Sequence, residues 1–243
     1  MRAHAAKPWL RSRHGSPAGS KRLWCDRFPE QAFAIAILVA PMLFTIGGLL
    51  DPVVHVTNGV ANITANTSAN PVTNAIHLAA FVLDSFLLPI SVIGMARLAM
   101  HSHRGSPRLV DTGSPRLVPF SALPAQEDLT LQMAQLGAND LLGSLWERFN
   151  NDVTMTFFLV VHIVCHLLAY VVLSIALYRA RVIPSWAAWT LGASTPLTLA
   201  SFATRQRNEV LGLVLEVLFC ATFIVGSAPV AFAAWKRSDL GKA

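Results

Sequence analysis

Charge is what this chain has least of. Only 13% of its 243 residues are Asp, Glu, Lys or Arg, against about 25% in a typical soluble domain. That shortfall excludes an ordinary solvated globule and points to lipid as the solvent. Cysteine is also scarce: Cys25, Cys165 and Cys220 are odd in number and widely scattered, and two of them lie inside apolar runs, which argues against a disulfide framework. The signatures of soluble enzymes are missing. There is no G-x-S-x-G, H-E-x-x-H, P-loop, G-x-G-x-x-G or C-x-x-C, and each of those spacings exists to position a nucleophile, a metal or a phosphate. The D-x-x-x-D pattern of membrane prenyl transferases is absent as well. The reading leans away from an enzyme, and no catalytic residue is assigned.

What the chain has instead is apolar length. Hydrophobic residues make up 53% of the sequence, with a mean hydropathy of +0.50. The longest run, VTMTFFLVVHIVCHLLAYVVLSIAL over 153–177, is enough to cross a bilayer as a helix. Further apolar runs cover about 32–50, 77–100, 186–203 and 209–235. The fold class expected is therefore all-α, a polytopic transmembrane bundle of five or six spans occupying 31–235.

A basic tail over 1–30 precedes it, with seven Lys or Arg against Asp26 and Glu30. A short basic tail over 236–243 follows. The first run exceeds a usual signal-peptide core and reads as an anchor that stays. The formal net charge of +6 is spread between apolar blocks, so it suits cytoplasmic loops and anionic headgroups, with no nucleic acid as partner.

The connections differ sharply. Residues 51–76 carry Asp51 and no Lys or Arg, as an external loop would. Its Asn62-Ile63-Thr64 and Asn66-Thr67-Ser68 triplets are formal glycosylation sequons, read here as low complexity in Asn, Thr and Ala. The stretch 101–125 is an irregular loop in which GSPRLV occurs at 105–110 and again at 113–118; two copies are too few for a solenoid. Residues 126–152 predict an amphipathic, acidic helix with an apolar stripe from Leu131 to Phe149.

Charge and hydropathy disagree about the number of crossings. With the basic N-terminus cytoplasmic in the plasma membrane, five crossings put YRAR (178–181) and the basic C-terminus outside and the acidic 126–152 segment inside, against the positive-inside rule. One more crossing between 101 and 126 reverses all three placements. The residues supply only five good helices.

Candidate chemistry lies in the ionisable residues of the apolar runs. His77, Asp84 and Ser91 are spaced seven apart and share one helix face. A carboxylate at the centre of a spanning helix costs about 2.5–3.5 kcal/mol on insertion scales, so Asp84 should face other helices or water. Glu216 sits one turn from Cys220 in the last run. Asp84, Glu216, His162 and His166 are the candidate proton- or ion-handling groups of a small carrier or of an accessory subunit in a membrane complex. The alternative is a metal- or haem-binding redox protein or enzyme. His162 and His166 stand one turn apart with Cys165 beside them, a spacing that brings two imidazoles to one ion. Partners expected are membrane lipids and other membrane subunits or a second copy of the chain.

The run ALYRARVIPSWAAW (176–189) closes an apolar helix, and the first span is followed by an Asn/Thr-rich loop. In these features the chain resembles uncharacterised multi-span membrane proteins of actinobacteria across most of 30–235. The resemblance implies a helical bundle with a further helix after the second, where this chain has the GSPRLV repeat. It implies no catalytic residues.

Overall fold

The computed structural model describes residues 30–52, 58–102, 122–137, 139–205 and 207–240. Among them only helices occur: α1 Glu30–Leu50, α2 Gly59–Ser68, α3 Pro71–Ser102, α4 Ala122–Gln135, α5 Asp140–Asn150, α6 Val153–Arg179, α7 Ser185–Arg205 and α8 Glu209–Leu240. The expectations for the basic tail, for most of the 101–125 loop and for the last residues of the C-terminal tail lie outside the described residues.

Four helices, α1, α3, α6 and α8, are long and apolar enough to cross a membrane. Five were expected. The run at 186–203 does form α7, 21 residues long and so about 31 Å at 1.5 Å per residue. Its hydroxyl residues (Ser185, Thr190, Ser194, Thr195, Thr198, Ser201 and Thr204) leave it less apolar than the other four.

The five long helices form a ring. α1 packs between α3 and α8, α8 lies on α7, α7 lies on α6, and α6 returns to α3. Each contributes to one core, where Ile37, Leu88, Tyr170, Leu191 and Phe223 are fully buried. The rim is apolar too: Ile35, Leu83, Phe86, Leu168, Val172, Val214 and Phe232 are exposed. Leucines outside and polar groups within is the arrangement that lipid as solvent requires.

Local signals explain where the helices begin. Asn58, Asn139 and Asn208 accept hydrogen bonds from the backbone N–H three residues on, and Asn70 accepts from Val72 ahead of α3. These are N-caps, with Pro71 at the position where a missing N–H costs nothing. Asp152 caps α6 by accepting from the Thr154 N–H at 2.8 Å. That bond holds its carboxyl below the usual carboxylate range.

Where the apolar stripe predicts one amphipathic helix over 126–152, the structure has two. Gly137 adopts φ +88°, the left-handed conformation that ends helices, and Asn139 starts α5. The resulting hairpin closes through Trp146 Nε1 donating to Thr130 Oγ1 at 3.0 Å, and it packs on α2 around Ile63, Met133 and Ala134. Glu147 reaches the α2 N-terminus and accepts from the Gly59 N–H at 3.0 Å. An acidic group is favourable at that positive end.

The ends of the ring differ in charge. The start of α1, the ends of α3, α6 and α8 and the start of α7 share one end, which carries Arg97, Arg179, Arg181, Lys236 and Arg237 with Glu30. The opposite end holds α2, α4, α5 and the start of α6. It carries Asp51, Asp128, Asp140, Glu147, Asp152 and Glu209 with Arg148, Arg205 and Arg207. α3 therefore finishes at the basic end, while α4 is packed at the acidic end.

Candidate functional site

The buried face of α3 carries a column of polar groups. It begins at the acidic end, where the Asn66 amide donates to Asn62 Oδ1 at 3.3 Å and the Asn74 amide donates to Asn66 Oδ1 at 3.1 Å. All three asparagines are buried. Nothing in the composition singles them out, because the Asn/Thr-rich stretch looks compositionally simple. The spacing of four between Asn62 and Asn66 is the available signal, since it returns a side chain to nearly the same face of α2, whereas Asn74 stands on α3 and shares no periodicity with them. The sequon residues Asn62 and Asn66 are thus interior hydrogen-bonding groups.

Next along α3 is His77, whose Nδ1 lies 2.7 Å from the Gly47 carbonyl. Gly47 is in the last turn of α1, where carbonyls lack helical partners and no basic residue is present. The imidazole supplies the missing donor, and its ring meets Phe81 edge-on at 4.8 Å.

Two turns further, Asp84 is 5% exposed, and its Oδ1 has no hydrogen-bond partner among the described residues. Tyr170 of α6 lies within electrostatic reach of Asp84 and faces Ser91. Ser91, two turns beyond Asp84, is fully buried, and its Oγ likewise has no partner among the described residues. The seven-residue spacing of His77, Asp84 and Ser91 has its structural counterpart here, as all three point inward. Tyr170 was not anticipated, because contact between helices distant in sequence leaves no local signal.

Glu216 sits elsewhere. Its carboxylate lies 2.5 Å from the Arg205 guanidinium, and both side chains are mostly buried. Cys220 lies near it and Thr45. Arg205 and Glu216 flank the short α7–α8 turn, so a hairpin reading of that turn could have paired them.

The proposed metal set is only partly placed. Cys165 is exposed and free, and the side chains of His162 and His166 lie outside the described residues. Among the described residues no group of three His, Cys, Asp or Glu is arranged to hold a metal.

Two bonds hold α6 and α8 against α7. Thr195 Oγ1 donates to the Leu167 carbonyl at 3.1 Å, and Ser201 Oγ donates to the Gly212 carbonyl at 3.0 Å. Such cross-helix hydroxyl bonds suit the Ser/Thr-rich segment around Pro196. Set against known protein families, curated proteins and solved structures, the chain matches none.

Proposed function

We propose that this chain is an integral membrane protein of carrier type, acting alone or as an accessory subunit of a membrane complex, in which Asp84 takes up and releases a proton or a small cation. The observation that carries this reading is the buried Asp84 carboxyl, with one oxygen unsatisfied among the described residues. It lies in the middle of a 32-residue apolar helix. A carboxylate is costly in such surroundings unless a proton or cation accompanies it, so a group kept there is suited to exchanging one. The asparagine and histidine column gives a polar approach from the acidic end, with Tyr170 and Ser91 beyond the carboxyl. Glu216, with Arg205 as counter-ion, and His162 and His166 on α6 complete the ion-handling set. The reading places the protein in the plasma membrane with the N-terminus cytoplasmic.

The test is flux in proteoliposomes. Wild type should dissipate an imposed pH or monovalent-cation gradient faster than empty vesicles. Asp84→Asn should abolish the excess, while Asp84→Glu and the half-buried neighbouring control Ser85→Ala should retain it. Flux no greater than that of empty vesicles, or flux untouched by Asp84→Asn, would overturn the reading.

A further inference from the structure

The turn that ends α6 holds a residue that its backbone does not favour. The Val182 N–H donates to the Leu177 carbonyl at 3.3 Å, and the Arg181 N–H donates to the Tyr178 carbonyl at 3.0 Å. These paired bonds close a helix through one left-handed residue, usually glycine. Here that residue is Arg181, at φ +52°, the one non-glycine in the left-handed region among the described residues. Glycine would make both bonds without placing a Cβ in that crowded conformation. Val182 behind it packs on the core, while Arg181 itself is exposed. The fold thus gives no reason for a long cation at this position, and an outlier of this kind points to a task outside the fold.

The surroundings define the task. Arg179, two residues earlier, is exposed too. No Asp or Glu occurs between Asp152 and Glu209, and among the described residues neither guanidinium has an ion-pair partner. Aromatic side chains flank the turn: Tyr178 is 48% exposed, Trp186 54% and Trp189 72%, with the Tyr178 and Trp189 ring centres 6.3 Å apart. The apolar stretch of α6 ends at Arg179, so the turn stands where a membrane-length helix leaves the hydrocarbon. Exposed tryptophan and tyrosine at that level suit the headgroup region, and arginines beside them suit negative headgroups.

From this arrangement we infer that the α6–α7 turn is a docking surface for anionic phospholipid headgroups, with Arg179 and Arg181 on the phosphates and Tyr178, Trp186 and Trp189 at the boundary of the acyl chains. An exposed surface needs no cavity, because the headgroup layer meets it from outside. Guanidinium forks take phosphate oxygens in pairs, the strong form of such a contact. A lipid fits better than a free anion because only a lipid also covers the aromatic rings. The inference is independent of Asp84 and of any transport activity.

The experiment is thermal unfolding of the purified full chain in detergent, titrated with phosphatidylglycerol, phosphatidylcholine or inorganic phosphate. Phosphatidylglycerol should raise the unfolding temperature saturably, and the other two should not. Arg179→Gln/Arg181→Gln should raise the half-saturating concentration by about tenfold or more, since each basic group at an anionic surface contributes about fivefold. Arg207→Gln, which removes an exposed arginine at the opposite end, should leave it unchanged. Arg181→Gly separates a headgroup role from a structural one and decides the matter if the double variant fails to fold. Relaxing the turn should raise the lipid-free unfolding temperature by about 2 °C, while the phosphatidylglycerol response weakens by about fivefold. An Arg181→Gly protein with an unchanged phosphatidylglycerol titration would overturn the inference. A lower lipid-free unfolding temperature in that variant would also overturn it, by showing that the fold itself holds the arginine. Equal weakening by Arg207→Gln would reduce the effect to diffuse surface charge, and an equal response to inorganic phosphate would overturn the lipid assignment.

Discussion

Arg205 closes on Glu216 across the α7–α8 turn, guanidinium to carboxylate at 2.5 Å, with side-chain exposures of only 15% and 12%. Neither charge is comfortable alone at that depth. Removing one partner of a buried pair strands the other, whereas replacing both with apolar groups of similar size is often neutral or better. Arg205→Ala is expected to destabilise the protein by about 3 kcal/mol, the lower end of the range for breaking such pairs. Arg205→Leu/Glu216→Leu should recover most of that loss. Thermal unfolding in detergent, arranged as a double-mutant cycle, measures the coupling. A double variant as unstable as the sum of its singles would contradict the pairing.

Helix spacing around the ring depends on glycine at particular crossings. A Cβ on Gly226 would lie 2.6 Å from the backbone nitrogen of Leu191 on α7, whereas one on Gly48 would meet nothing nearer than Glu216 Oε1 at 3.4 Å. Backbone cannot yield as a side-chain tip can, so Gly226→Ala should cost about 1–3 kcal/mol, the usual range for overpacking. Gly48→Ala should be close to neutral. Equal unfolding temperatures for the two variants would show that α7 and α8 do not approach at Gly226.

The buried asparagines make a prediction opposite to the one that the sequons invite. Asn62 and Asn66 use their side chains on each other and on Asn74, in a space that admits no glycan. Expression through a eukaryotic secretory pathway should give protein whose mobility is unchanged by endoglycosidase. Asn66→Ala should lower stability by about 1–3 kcal/mol, because it leaves the buried Asn74 donor and its neighbour unsatisfied. A glycan at either site would show that α2 does not pack as described.

How far the sequence could be read depended on whether a feature needed a distant partner. The inward column of His77, Asp84 and Ser91 was legible because a helix returns to the same face every seven residues whatever lies opposite. The long apolar runs were legible by length. The break between α4 and α5 was written in Gly137 and Asn139, but the apolar stripe continues across it and masks the turn. Tyr170 beside Asp84 and the Glu147 cap on Gly59 could not be read, because each joins elements far apart in the chain. The asparagines of 58–74 looked like filler, although Asn58 and Asn70 are caps and Asn62, Asn66 and Asn74 form a ladder.

The conflict between charge and crossing number bears on the last prediction. Charge demanded that the acidic 126–152 segment lie opposite both basic tails, which five consecutive crossings do not provide. In the structure α3 ends at the basic end with Arg97 near its last turns, yet α4 packs on α2 at the acidic end, where Thr67 Oγ1 donates to the Ala134 carbonyl at 3.2 Å. The end of α3 and the α4–α5 hairpin thus lie at opposite ends of the ring, and the basic residues of α3, α6 and α8 share one end. If the bundle stands upright in a membrane, single cysteines at Arg179 and Lys236 should label from one side and a cysteine at Ser144 from the other. The background should have Cys25, Cys165 and Cys220 replaced. With Arg179 and Lys236 cytoplasmic, as the positive-inside rule requires, an impermeant thiol reagent added to intact cells should modify only the Ser144 variant. Labelling of Ser144 and Arg179 from the same side would place α5 and the α6–α7 turn on one face and refute the placement of the α4–α5 hairpin opposite the end of α3.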